Sequence, residues 1–435
     1  MSLRTIALAA LALGTGATAG RAMTTVQAAA DSARAARAAW RSAGESLRGA
    51  NLLAALGHLR RAMDAWPGQP AYAFGYARVA ARLRDTNEVA RGLSLLADLG
   101  GGADLSAEEF APVLGAPAVR AVRARLAENQ RPIARSRLAA TVNQADFWPE
   151  AVAHDARSGS WYLGSIRHRK IVRVHADGRV EEVVRPAQDG LFGVLGVRID
   201  TAANALWVST AALPQMQGFT PADSGRSGVF AFDLRTGRLR GRWLLPEGVA
   251  HLLGDLVVTP GGDVYATDSG DPAIWRIRRG DDRIEEFLRH PSFRSLQGPA
   301  LDETGRTLFV ADWSHGVFAI DLVTRTVREL TAPPRTTTLG IDGLSWDRGA
   351  LIGVQNGIAP PRIVRLALDA GRTRVVAVEV LDRNLPFADE PTIGCVSGRM
   401  FYYVANSLWE KHNDLGRPRT GARLEGPRIL ALPLP

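Results

Sequence analysis

A six-fold recurrence runs through the C-terminal two thirds of the chain. Aligned on the residue that enters the first strand of each unit, six frames stand out. They are Pro149-Glu150-Ala151, Leu195-Gly196-Val197, Gly254-Asp255-Leu256, Gln297-Gly298-Pro299, Asp342-Gly343-Leu344 and Glu390-Pro391-Thr392. Successive frame residues are 45, 59, 43, 45 and 48 positions apart, and only the second interval is stretched. A turn follows each first strand, at 155–159, 200–204, 259–263, 302–305, 347–349 and 397–398, and then an aromatic or aliphatic second strand: WYLGS, LWVST, VYATD, LFVAD, LIGVQ, MFYYVAN. Third strands recur as KIVRV, GVFAFDL, AIWRI, GVFAIDL, RIVRL and ILALPL. The clearest unit, Ser295–Leu330, predicts strands at Pro299–Leu301, Thr307–Asp312, Val317–Leu322 and Val327–Leu330, cut by turns rich in Asp and Gly. An isolated four-stranded sheet cannot bury both faces, so such a unit needs copies beside it. A period of roughly 40–50 residues with four strands per unit is the pattern of a β-propeller, here with six blades.

The sixth unit runs out of chain after its third strand. Ser136–Val142, ahead of the first unit, can supply the missing fourth strand and clasp the ring through both ends of the propeller. Residues 132–435 are therefore read as the propeller. Residues 23–131 differ in kind: rich in Ala, Leu and Arg at helical spacing, they predict helices at 26–47, 52–66, 71–83, 87–99 and 118–129. The stretch 51–100 resembles a tetratricopeptide helix pair, with Pro67-Gly-Gln-Pro70 as the breaking turn. Stacked helices of that kind offer a concave surface to a protein partner; the alternative is that they merely cover one face of the propeller. The fold class is mainly β with an N-terminal α domain.

Residues 1–22 have the marks of a signal peptide: Arg4, an apolar core at 6–13, and Ala17-Thr-Ala19 before a cleavage point. The apolar run is far short of the about 20 residues a membrane span needs. The expected location is periplasmic or secreted. The single cysteine, Cys395, cannot form an internal disulfide, so stability rests on the cores. The net charge of +9 is carried almost wholly by arginine, Lys170 and Lys411 being the only lysines. The arginines are scattered among acids with no basic run interleaved with aromatics, which argues against a nucleic-acid partner.

Motif chemistry is mostly excluded. The sequence holds no HExxH, no cysteine pair for zinc, no phosphate-binding GxxxxGK[ST] and no GxSxG elbow. His315 sits in a blade turn and His251 precedes the third blade, and both read as solvated or packing residues. The frame residues are more informative, because first strands line the central channel. Glu150, Gln297, Asp342 and Glu390 would converge near the axis with Leu195 and Gly254. Three carboxylates in one tunnel repel each other unless a cation or protons neutralise them. All four groups are hard oxygen donors of the type Ca²⁺ prefers. The competing use of these side chains is to cap turns or hold water.

On these residues the propeller resembles the family of senescence marker protein, gluconolactonase and regucalcin, with paraoxonases and strictosidine synthases as more distant relatives. The likeness runs from about residue 140 to the end, in PEAVAHDARSGSWYLGSIRHRKIVRV, GDLVVTPGGDVYATDS, QGPALDETGRTLFVADW and DGLSW. It implies a divalent cation held by a first-blade Glu, a fourth-blade Asn and a fifth-blade Asp, which fall on Glu150, Gln297 and Asp342. Two positions depart from the family: Gln297 stands for Asn, and Gly254 replaces a third-blade Asn, though Asp255 is adjacent. Strand alternation turns Asp255 away from the channel unless the backbone twists. Leu195 occupies the paraoxonase-type histidine position. The activity implied is hydrolysis of a small lactone or ester, with Asp342 taking the proton from water and Asp255 and Glu390 as substrate contacts. Two alternatives stay open: a non-catalytic protein- or ligand-binding module with a degenerate metal site, and a metal-free, strictosidine-synthase-like site in which Glu390 matters more than Glu150.

Overall fold

The computed structural model describes residues 25–435, with side-chain surroundings from residue 31 onward. The expected export signal at 1–22 lies outside the described residues. Five α-helices come first: α1 (Thr25–Arg48), α2 (Leu52–Ala65), α3 (Pro70–Arg82), α4 (Thr86–Asp98) and α5 (Pro117–Gln130). Their ends follow local chemistry. Asn51 caps α2 and Asp85 caps α4 by accepting backbone N–H groups, while proline opens α3 and α5. Each helix packs on the next through buried alanines such as Ala55, Ala62, Ala73 and Ala77. α3 and α4 approach so closely that a Cβ on Gly92 would stand 2.8 Å from the Ala73 carbonyl oxygen.

Six four-stranded antiparallel sheets follow, one for each frame. Blades 1 to 5 use consecutive strands, their first strands being Pro149–Asp155, Gly193–Asp200, Leu253–Val258, Leu296–Leu301 and Ile341–Asp347. Blade 6 is built from Gly394–Ser397, Met400–Val404 and Arg428–Pro433, and Arg137–Thr141 completes it by pairing with Arg428–Pro433. Ring closure through both ends thus occurs as the repeat count required. The clasp is pinned sideways by Asp382 in blade 5, which accepts the Arg135 and Ser136 amides at 2.7 and 3.3 Å. Second and third strands are buried on both faces, which accounts for runs such as LFVAD and GVFAID. Neighbouring blades share apolar layers: Val229 and Leu245 of blade 2 pack with Leu256, Ala266 and Trp275 of blade 3.

The helices dock on the propeller over blades 4 and 5, on the face where the first strands begin. Arg362 is the anchor. Its guanidinium is buried, donates to Gln355 Oε1 at 2.6 Å, and reaches the Leu99 and Gly100 carbonyls that end α4. Those carbonyls are the negative end of the helix dipole, so a cation completes them without a carboxylate. Gly100 is required twice over: its φ is +80°, and a Cβ there would fall 2.1 Å from Arg362 Nη1. Around this point Gly102 N–H donates to the Ala359 carbonyl, Trp66 meets the His315 ring, and Asn384 donates to the Gln130 carbonyl.

Candidate functional site

Five of the six frame residues occupy one position in the backbone, and in blade 6 the register puts Thr392 there, two residues after Glu390. In blades 1 to 5 the pairing of first and second strands slips at or just after them, between Pro149 and Val152, Val194 and Val197, Leu253 and Asp255, Leu296 and Pro299, and Ile341 and Leu344. A bulge redirects side chains at a strand end, and repeating it around a ring aims equivalent residues alike. In blade 6 Glu390 precedes the strand and is joined to Asn406 by a single bridge.

Asp342 is buried, and its Oδ2 accepts the Asn356 side-chain amide at 2.6 Å. That amide also donates to the Pro391 carbonyl, while its Oδ1 accepts the Trp313 indole N–H at 3.3 Å. Indole only donates, so the orientation of Asn356 is fixed and it presents nitrogen, not oxygen, to the carboxylate. Glu150, also buried, accepts the Trp409 indole N–H at 2.6 Å and the Ser407 hydroxyl at 3.4 Å on one oxygen. Both oxygens of Glu390 accept the Glu410 amide at 3.2 Å. Gln297 donates from its amide nitrogen to Ser295 and turns Oε1 toward blade 3, 3.7 Å from where a Cβ on Gly254 would lie. Gln297 Oε1 thus lies beside Gly254 at ordinary contact distance.

The connection 406–425 forms one wall of this end of the channel. Besides Trp409 and Glu410, it places Lys411 on Asp389 at 2.8 Å and sets the His412 ring, tilted by 31°, against Trp148 with centroids 4.1 Å apart. Arg167 reaches the Gly416 carbonyl from blade 1. Leu195 joins Trp148, Ile166, Ala211 and Leu408 in an apolar cluster, so the blade 2 side is greasy where blades 1, 5 and 6 are acidic.

Asp255 has no exposed surface. The slip in register turns its carboxylate between blades 2 and 3, where it pairs with Arg198 at 2.5 Å and accepts the Leu256 amide at 2.8 Å. Desolvation lifts its pKa to about 6, with Arg198 pulling it down and the charge of Asp342 pushing it up. Asp255 and Asp342 thus feel one another's field. Nearby, burial pushes the Cys395 thiol up to about 11. His251 and His315 are structural: His251 bonds the buried Asp268, and His315 stacks on Phe318 and bonds Glu329. Asp268 and Asp312, which close VYATD and LFVAD, clip the chain entering their own blade by accepting the amides of Leu252, Arg294 and Ser295.

Sequence reasoning did not find Asn356, Trp409, Ser407 or Arg198. Asn356 stands at the exit of the second strand, a position the repeat marks in every unit (Ile166, Ala211, Ser269, Trp313, Asn356, Asn406), and Ser407 follows one residue later. Trp409 falls in an aperiodic connection that carries no such signal.

The set expected from the sequence would offer a cation two carboxylates and an amide oxygen from three blades, and Asn356 and Trp409 hold those two carboxylates. Among the described residues no three His, Cys, Asp or Glu side chains are grouped to hold a metal ion, so the expected gathering of Glu150, Asp342 and Glu390 does not amount to such a group. No helix of the described residues is long and apolar enough to cross a membrane.

A six-bladed propeller carrying helices over blades 4 and 5 is the class that the fold defines. No protein-family model and no curated protein matches the chain. Solved structures similar to it include a gluconolactonase from Xanthomonas campestris (16% identity, 68% of this chain and 89% of that one, TM-score 0.45). A calcium-binding regucalcin from Agrobacterium tumefaciens aligns at 16% identity over 68% and 92%, with a TM-score of 0.47. A virginiamycin B lyase from Staphylococcus aureus aligns at 17% over 62% and 80%, with a TM-score of 0.43. At these scores the likenesses carry no argument of their own, and the blade count rests on the strand pairing described above.

Proposed function

We propose that the channel holds a divalent cation, Ca²⁺ by the hardness of its donors, through Glu150, Gln297 and Asp342, and that the protein hydrolyses a small lactone or ester there. The observation that carries this is the Trp313–Asn356–Asp342 chain of hydrogen bonds, which holds a buried carboxylate by one named oxygen. Bound in the channel, the cation supplies polarisation of the substrate carbonyl and charge for the developing oxyanion. Asp342 takes the proton from the attacking water at a carboxylate oxygen. Asn356 keeps that carboxylate from rotating, and Trp409 does the same for Glu150. Glu390 accepts from a substrate hydroxyl. Asp255 acts from below as a buried charge that sets the field under Asp342. The buried apolar cluster of Leu195, Trp148 and Leu408 backs this side of the site. Export through residues 1–22 belongs to the same proposal.

The test is hydrolysis of D-glucono-δ-lactone and a small panel of γ-lactones and aryl esters in calcium. Asp342→Asn should lose at least about a hundredfold in kcat with little change in folding. Unchanged turnover in Asp342→Asn would remove the mechanism. A second proposal is a non-catalytic binding platform, favoured by one observation: α4 is locked to the channel face by Arg362, as a protein-docking module would be. In that case no lactone or ester is turned over, and a protein partner binds the helices.

A further inference from the structure

The helices meet the propeller along a second seam, away from Arg362. α1 touches the outermost strand of blade 4, Val327–Glu329. Ala33, Ala36 and Ala43 form its buried side, and between them Trp40 packs on Tyr72 of α3 with ring centroids 5.1 Å apart. Tyr72 lies in the first turn of α3, shortly after Trp66, whose ring meets His315 of blade 4. Arg37 and Arg41 stand one turn apart on α1, so their side chains run next to one another.

Blade 4 adds Arg294, two residues ahead of its first strand. One nitrogen of that guanidinium donates to the Pro291 and Phe293 carbonyls at 2.6 Å, which fixes the side chain and leaves its other N–H groups unused. Arg37 is half-buried. Desolvation holds its guanidinium below the ordinary arginine range, and the like charges of Arg294 and Arg41 push the same way, against Tyr72 and Asp312. Asp312 is already committed: Oδ2 accepts the Arg294 and Ser295 amides, and Oδ1 accepts the Ser314 amide and hydroxyl at 3.1 Å. Among the described residues Arg37, Arg41 and Arg294 make no ion pair with a carboxylate.

Tyr72 supplies the second signal. The residue is 8% exposed, yet its hydroxyl has no hydrogen-bond partner among the described residues. Burial raises its pKa, and the charges of Arg37 and Arg41 draw it back, so the hydroxyl and the two guanidinium groups share one space. Three positive charges with a single committed carboxylate in reach call for an anion. The donors come from α1, α3 and blade 4, that is, from three directions. A tetrahedral phosphate, with about two charges and three acceptor oxygens, meets such a set better than a planar carboxylate does.

We infer that Arg37, Arg41, Tyr72 and Arg294 form a binding site for a phosphate group, free or carried by a small monoester, at the seam between α1 and blade 4. The guanidinium groups take its charge, and the Tyr72 hydroxyl donates to one oxygen. The bound phosphate ties α1 to the propeller. The site is independent of the channel and of what the channel does.

The experiment is calorimetric titration of the full chain, at about 0.1 M sodium chloride, with inorganic phosphate and with glycerol 2-phosphate; glycerol is the neutral counterpart. At least one phosphate should bind with a dissociation constant at or below about a millimolar, and glycerol should not bind. Tighter binding of the ester assigns the site to a phosphorylated metabolite, and equal or tighter binding of inorganic phosphate assigns it to the free ion. Arg37→Gln and Arg294→Gln should each weaken binding about tenfold or more, and Tyr72→Phe about threefold to tenfold. Tyr72→Phe keeps the ring against Trp40, so it serves if an arginine variant melts early. Arg120→Gln, which removes an exposed arginine of α5, should bind like wild type. The site is overturned if neither phosphate gives heat at about 10 mM, or if Arg120→Gln weakens binding as much as Arg37→Gln does.

Discussion

Replacing Arg198 by methionine should destabilise the propeller strongly at pH 8 and much less at pH 5. Arg198 and Asp255 join blades 2 and 3 at 2.5 Å, with side-chain exposures of 14% and 0%. Methionine fills much of the space of the arginine stem but leaves a carboxylate buried without its cation. Removing one partner of a buried pair costs about 3–5 kcal/mol. The dependence on pH follows from Asp255. In the folded chain its pKa is lifted from 3.8 to about 6, which is worth about 3 kcal/mol against ionisation. The folded chain therefore holds a proton that the unfolded chain releases between those values, and stability rises as pH falls through about 6. Without Arg198 the folded value moves higher still, so the variant gains more than wild type on acidification. The difference should shrink from about 3–5 kcal/mol at pH 8 to about 1–2 kcal/mol at pH 5. Urea unfolding at both pH values, with slopes compared to check two-state behaviour, measures it. A loss that is equal at both pH values, or below about 1 kcal/mol at pH 8, would refute the buried-pair argument.

Three further outcomes are expected. Arg362→Met leaves the Leu99 and Gly100 carbonyls and Gln355 Oε1 without their donor, and should release the helices from blades 4 and 5; a separate early transition on unfolding and protease cutting near residues 100–135 would show it, and intact single-step unfolding would contradict it. Asn356→Leu removes the donor on Asp342 Oδ2 and should weaken calcium affinity about tenfold or more while the melting temperature moves by only a few degrees, read by calorimetry; an unchanged affinity would mean that Asn356 does not hold the site. A chain beginning at residue 143 lacks the closing strand Arg137–Thr141 and should aggregate through the open edge of Arg428–Pro433, whereas one beginning at 132 stays soluble; equal behaviour in light scattering would place closure elsewhere.

The propeller was legible because its signal is periodic. Turn residues and alternating strands repeat every blade, and the strand missing after Ile429–Leu434 could be located by counting. The helices were legible from spacing, and their ends from Asn51, Asp85 and the opening prolines. Strand alternation alone did not place Asp255, because a bulge changes the direction of a side chain without changing the residue pattern. The holders Asn356 and Trp409 were hidden for different reasons. Asn356 lies at a repeated position whose chemistry varies from blade to blade, and Trp409 comes from a connection of no fixed length. The docking of α4 on Arg362 was illegible, since a buried arginine that binds carbonyls leaves no paired acid in the sequence.

Calcium titration of EDTA-treated protein by calorimetry bears most directly on the channel. One site with a dissociation constant at or below about a millimolar is predicted, lost in Glu150→Gln and in Asp342→Asn. No heat at about 10 mM calcium, or binding that survives both substitutions, would contradict a cation held by these blades.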